Sequence, residues 1–196
     1  MFIEQKFSIA EISGISKKTI EEHLKLYAGY VKNTNLILEK IDEYSKEPDK
    51  NTYAISEIQR RFSFEFNGMR NHEYYFEQLE GEQKKLNEEG SLSKQLSKDF
   101  GSFITWLEKF RSLCLTRGIG WAILYYDKKT NRLINAWIDE QHLGQLNGLD
   151  FIYGIDMWEH SYLIDYVPSD KKKYIENYIS ATNYSVLEKR FEEATK

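Results

Sequence analysis

The chain of 196 residues is 41% hydrophobic, 15% aromatic and 30% charged, proportions that suit one compact domain or two closely packed halves and exclude general disorder. Its 31 acidic residues outnumber 27 lysines and arginines, a formal net charge of -4 that leaves no basic surplus for gripping a phosphate backbone, so no nucleic-acid partner is expected. A single cysteine, Cys114, rules out an intrachain disulfide and a cysteine-rich zinc site. The start MFIEQKFSIAEI lacks the apolar core of a signal peptide and runs such as WAILYY are too short to span a bilayer, so a soluble cytoplasmic protein with no membrane partner is expected.

From Thr19 to Tyr44 the positions Ile20, Leu24, Tyr27, Val31, Leu38 and Ile41 keep to one face of a helix. Residues 45–51, SKEPDKN, read as a turn into a second helix from Thr52 to Leu79, and the two make a hairpin. The polar run Glu80 to Ser93 is the candidate linker, with a boundary near residue 88 separating an N-terminal hairpin (1–88) from a C-terminal unit (89–196). Lys94 to Arg117 is again helical in pattern, GWAILYYD and RLINAWID flank the turn KKTN as a β-hairpin, and 151–157 make a third strand. The tail from Lys171 to Lys196 returns to helical spacing, its three lysines at 171–173 reading as a solvated helix start. The fold class is α+β: an N-terminal helical hairpin, then a small three-stranded antiparallel sheet flanked by helices.

Only four histidines are present, at 23, 72, 142 and 160, so each calls for an explanation. His23 shares its helix face with Tyr27 and Tyr30, His72 lies among aromatics in NGMRNHEYYF, and Asp156 and His160 stand four apart where a strand gives way to a helix. Imidazoles with one carboxylate suit iron, manganese or zinc, and donor type alone does not choose among them. The plainer alternatives are hydrogen-bonded core histidines and an ordinary strand-end pair, and spacing alone does not bring the three segments to one point. Gly118-Ile-Gly120 precedes a strand and reads as a turn, Cys114 sits between leucines as core, and no nucleophile elbow is present.

The segments TIEEH with YVKNTN, NHEYY at 71–75, DFGSF at 99–103, GIGWAIL at 118–124 and DMWEH running into DY at 156–166 together resemble the iron/manganese superoxide dismutases. The likeness runs in the family's order from about Ile15 to about Phe191, and the aspartate-x-tryptophan-glutamate-histidine motif is its most specific part. The resemblance implies a helical hairpin followed by an α+β domain, one iron or manganese ion per subunit between them, and His23, His72, Asp156 and His160 as its ligands. It also implies Trp121, Trp158 and Phe76 as walls of the site and Glu159 as a residue that reaches across a dimer interface to the partner's metal-bound histidine. Tyr30 and Gln141 would relay protons beside the metal, with Glu140 or His142 as alternatives to Gln141. Gly68 stands where some members carry that donor, a weak pointer to manganese.

Four departures accompany the likeness. His23 to Tyr30 is seven residues where the family has eight, so a straight helix with Tyr30 facing the metal is expected, since i+7 stays within about 20° of the ligand's face. Tyr27 replaces a histidine and Leu163 a tyrosine at the mouth of the substrate channel, where Tyr27 is expected to line the channel. The arginine usual before the penultimate helix is absent, with Lys171 a stand-in. The proline-rich N-terminus is also lost. The implied activity is disproportionation of superoxide to dioxygen and hydrogen peroxide by a homodimer or homotetramer. The alternatives are a noncatalytic binding or assembly protein on the same fold and a metal enzyme with other redox chemistry.

Overall fold

The computed structural model describes residues 1–196. Helix α1 (Lys17–Tyr44) begins two residues before the sequence pattern because Ser16 caps it, its hydroxyl oxygen accepting the Thr19 N–H at 3.2 Å. It runs helical throughout, without a bulge. Helix α2 (Pro48–Glu77) also starts earlier than the pattern, since Pro48 fits the first helical turn, where no N–H partner is needed. The two long helices pack against each other as the expected hairpin. The N-terminal segment straps it: Phe2 exchanges backbone hydrogen bonds with the Asn35 side chain, and the Gln5 N–H donates to Tyr27 Oη at 2.9 Å.

The stretch read as one helix over 94–117 is two, α3 (Ser91–Phe100) and α4 (Phe103–Cys114). Gly101 at φ 92° turns the chain in a conformation that other residues rarely adopt, and Ser102 caps α4 by accepting the Thr105 N–H at 3.0 Å. Strands β1 (Gly120–Asp127), β2 (Arg132–Asp139) and β3 (Asp150–Asp156) form one antiparallel sheet in the order β2-β1-β3. The central β1 is buried almost end to end, as its unbroken apolar run requires. The tail also divides, into α5 (Lys171–Ala181) and α6 (Tyr184–Ala194), where Asn183 leaves helical geometry to cap the second.

Two connections set the site. Trp121 at the start of β1 pairs with Asp156 at the end of β3, so the third strand delivers its last carboxylate beside a buried indole. Gln78, just past α2 and fully buried, donates to Gly154 O at 2.8 Å and accepts the Gly154 N–H at 2.9 Å, clamping the hairpin to β3. No helix is long and apolar enough to cross a membrane.

Candidate metal centre

Four donor side chains from four elements converge where the hairpin meets the sheet: His23 from α1, His72 from α2, Asp156 from the end of β3 and His160 from the short turn of 3-10 helix that follows. One ligand atom from each lies within 4.8 Å of the others. The Nε2 atoms of His160, His23 and His72 stand 2.9, 3.1 and 3.4 Å from a single oxygen, Asp156 Oδ2. His23, His72 and Asp156 are shut off from solvent and His160 is partly open.

The His72 geometry decides what this cluster suits. Its Nδ1 lies 2.6 Å from the Gly68 carbonyl, which can only accept, so the proton sits on Nδ1 and Nε2 presents a bare lone pair. That lone pair is buried without a hydrogen-bond partner and points at a carboxylate oxygen. Two acceptors held face to face in a dry pocket repel unless a cation lies between them. Burial, followed by the neighbouring His23, pushes the His72 imidazole down to about 3, so it is neutral and ready to ligate at neutral pH. Burial likewise lowers His23. For Asp156 burial alone would raise the carboxyl, but the surrounding imidazoles, His160 foremost, outweigh it and hold the group ionised. An ionised carboxylate ringed by three imidazoles, with no thiolate, is the donor set of an iron, manganese or zinc site.

The supporting contacts are equally directed. Asp156 Oδ1 accepts the Trp158 N–H at 2.8 Å, while the Asp156 carbonyl accepts from Tyr174 Oη at 2.9 Å and Ser161 Oγ at 3.0 Å. Gln141 is fully buried; its Oε1 accepts from Trp121 Nε1 at 2.8 Å and its Nε2 donates to Tyr30 Oη at 3.1 Å. Because an indole N–H only donates, Trp121 settles which end of the amide faces Tyr30. Tyr30 packs 5.1 Å from the His72 ring, and burial, then the Asp156 charge, raises its hydroxyl far above the ordinary range. Trp121 lies 5.1 Å from His72, Phe76 5.1 Å from His23, and Trp158 stacks on His160 at 5.7 Å.

Of residues 140–142, Gln141 is the one whose side chain hydrogen-bonds Tyr30. The Glu140 carbonyl takes the Trp158 indole N–H at 3.0 Å, and the His142 ring lies 5.7 Å from Phe64. Tyr27 is fully buried, its hydroxyl donating to Glu73 Oε1 at 3.2 Å and accepting from the Gln5 N–H, so it ties the hairpin to the N-terminal strap. Lys171 reaches the Thr116 carbonyl at 3.4 Å, and Leu163 and Glu159 are exposed. Sequence reasoning passed over Tyr174, Ser161 and Asn71. Asn71 donates to the Gln141 carbonyl at 3.1 Å and so seats the loop that carries Gln141. Its place directly before His72 is the one signal that pointed to it.

The comparisons with known proteins agree with this geometry. Residues 12–80 match the model of the iron/manganese superoxide dismutase α-hairpin domain, and residues 88–190 match that of the C-terminal domain. An iron superoxide dismutase of Methanothermobacter thermautotrophicus is 30% identical over 174 residues, 87% of this chain and 83% of the relative. A manganese/iron superoxide dismutase of Aeropyrum pernix is 30% identical over 178 residues, 88% and 80% of the two chains. The mitochondrial manganese superoxide dismutase of Glossina morsitans morsitans is 30% identical over 184 residues, 92% and 83%. With both domain models matched in order across a helical hairpin and an α+β unit that meet at a three-histidine, one-aspartate cluster, the chain belongs to the iron/manganese superoxide dismutase family.

Proposed function

We propose that the protein is a superoxide dismutase holding one iron or manganese ion per chain between the helical hairpin of residues 1–88 and the α+β unit of residues 89–196, through His23, His72, Asp156 and His160. The observation that carries this reading is the bare His72 Nε2 lone pair facing Asp156 Oδ2, an arrangement that calls for a cation. A redox-active ion there supplies one-electron chemistry, by which two superoxide anions and two protons become one dioxygen and one hydrogen peroxide.

The chain's own residues manage the protons and exclude water. Gln141 donates to Tyr30 Oη, so the Tyr30 oxygen is already occupied as an acceptor and its own proton is free to be given elsewhere. The raised Tyr30 pKa keeps that proton in place through the neutral range. Trp121 and Phe76 close the buried side of the site and Trp158 covers its edge at His160.

The working unit in this reading is a homodimer or homotetramer in the cytoplasm. His160 is partly open and its Nδ1 makes no hydrogen bond within the chain, while the Glu159 beside it is exposed, which suits a Glu159 contact to the His160 imidazole of a second copy. The only thiol, Cys114, is buried and asks for no oxidising compartment.

Separate loading with iron and with manganese, followed by elemental analysis and a superoxide-consumption assay, tests the reading. About one ion per chain with turnover on at least one metal is expected. A fully loaded protein that consumes no superoxide would overturn it in favour of a noncatalytic role. Glu159→Ala is expected to weaken both self-association and metal retention, and a wild-type monomer at assay concentration would remove the intersubunit part.

A further inference from the structure

The dipeptide Asn-Gly occurs twice in the chain, at 67–68 and at 147–148. Asparagine before glycine is thermolabile, because the following backbone nitrogen, with no β-carbon beside it to hinder approach, can reach the side-chain amide carbon. The fold holds the two copies in opposite states.

Asn67 lies inside α2, its Nδ2 donating to the Ser63 carbonyl at 2.7 Å. Gly68 is buried against Tyr30, and its N–H is spent in the helical ladder. Attack there would require opening the helix that carries His72. Asn147 and Gly148 instead form the exposed tip of the connection between β2 and β3. Neither the Asn147 side chain nor the Gly148 N–H makes a hydrogen bond within the chain, and a β-carbon on Gly148 would meet nothing within 4 Å. The segment is held on both sides of that tip. Leu146 and Leu149 pack on the core, and the Leu149 N–H donates to the Leu146 carbonyl at 3.4 Å. Gln145 Nε2 donates to Asn71 Oδ1 at 3.2 Å and to the Gln141 carbonyl at 3.3 Å. One short segment thus joins the seat of Gln141 to the strand that ends on Asp156.

We propose that Asn147 is a site of spontaneous deamidation whose product loosens this turn. The Gly148 nitrogen, having lost its proton to hydroxide, bonds to Asn147 Cγ; the Cγ–Nδ2 bond breaks and the amide leaves as ammonia, taking a proton from water. Water then opens the cyclic imide at one of its two carbonyls, leaving aspartate or isoaspartate. Either product adds one negative charge. Isoaspartate also puts an extra methylene into the main chain between Leu146 and Leu149, lengthening the turn that their hydrogen bond closes.

The test incubates the full-length protein, loaded with metal, in mildly alkaline and in mildly acidic buffer beside a synthetic peptide of residues 145–150. Peptide mapping that separates isoaspartate from aspartate follows each asparagine. Asn147 is expected to convert within about 3-fold of the peptide's rate, faster in alkali, and Asn67 at least about 10-fold more slowly. Urea midpoints read the consequence. Aged wild type is expected to fall, whereas aged Asn147→Gln, which closes the imide far less readily, and fresh Asn147→Asp, which adds the charge without lengthening the chain, hold theirs. Asn147 left intact while the peptide converts, or Asn67 converting alongside it, would overturn the assignment. Conversion with an unchanged midpoint in aged wild type, or an equal fall in aged Asn147→Gln, would overturn the loosening of the turn.

Discussion

Gly68 and Tyr30 meet without room to spare: a β-carbon on Gly68 would lie 2.5 Å from Tyr30 Cδ1 and 2.9 Å from its Cγ. The carbonyl of the same glycine takes the His72 Nδ1 proton. One turn of α2 thus sets both where the tyrosine ring rests and which nitrogen of His72 is bare.

Gly68→Ala follows from this pairing. Helix propensity favours alanine by about 1 kcal/mol, but displacing a packed ring costs about 1–3 kcal/mol. A net loss of stability is expected, with turnover down about 10-fold or more as Tyr30 moves off His72. Urea denaturation and the superoxide assay check it; a more stable, fully active variant would show that Tyr30 has room to retreat.

The two tyrosines of α1 should separate cleanly. Tyr30→Phe removes the hydroxyl next to Gln141 and is expected to slow turnover on the order of 10-fold or more with little change in stability. Tyr27→Phe leaves Glu73 Oε1 and the Gln5 N–H short of a partner and is expected to cost about 1–2 kcal/mol while turnover holds. The opposite pattern would place the proton donor at Tyr27.

Removal of a ligand should empty the centre without dissolving the fold. His72→Ala and Asp156→Ala are each expected to lose tight metal binding and all turnover, because three remaining donors make an incomplete sphere. Elemental analysis beside circular dichroism separates loss of metal from loss of structure, and full occupancy in either variant would move the site elsewhere.

Acid should act on the metal-free protein through His72. Its pKa is about 3 folded against 6.5 unfolded, so below 6.5 the unfolded chain binds the extra proton and stability falls as pH drops from about 6.5 toward 3. Asp156, held low in the folded state, adds to the loss as pH falls further. Urea midpoints are expected to decline across this window and to hold to lower pH when metal is bound, since the ion competes with protons for the same lone pairs. A flat profile from pH 7 to 4 without metal would contradict the buried, neutral imidazole.

Gln141→Ala is expected to keep its metal and lose turnover about 10-fold or more, because the side chain touches Tyr30 and Trp121 and none of the four donors. Trp121→Phe should show a milder form of the same defect, since it frees the amide to rotate. Normal turnover in Gln141→Ala would return the role to Glu140 or His142.

Much of the architecture was legible along the chain because it rests on local rules. The helical period over 19–44, the proline turn, the β-hairpin around KKTN and the DMWEH segment can all be recognised from neighbours in sequence. Local pattern failed where a break depends on one residue's conformation: Gly101 at φ 92° parts α3 from α4, and Asn183 leaves helical geometry to part α5 from α6. The four donors were marked by residue type and resemblance, but spacing could not bring them together. His23, His72 and Asp156 are joined only when α1 packs on α2 and Gln78 locks that hairpin to β3. Side-chain direction was the other decision left to tertiary structure. Tyr27 and Tyr30 lie three residues apart on one helix, yet Glu73 and the N-terminal strap draw the first hydroxyl away from the site while Gln141 holds the second beside His72. A hydroxyl follows the partner that packing brings to it, and those partners come from segments that the helix cannot foretell.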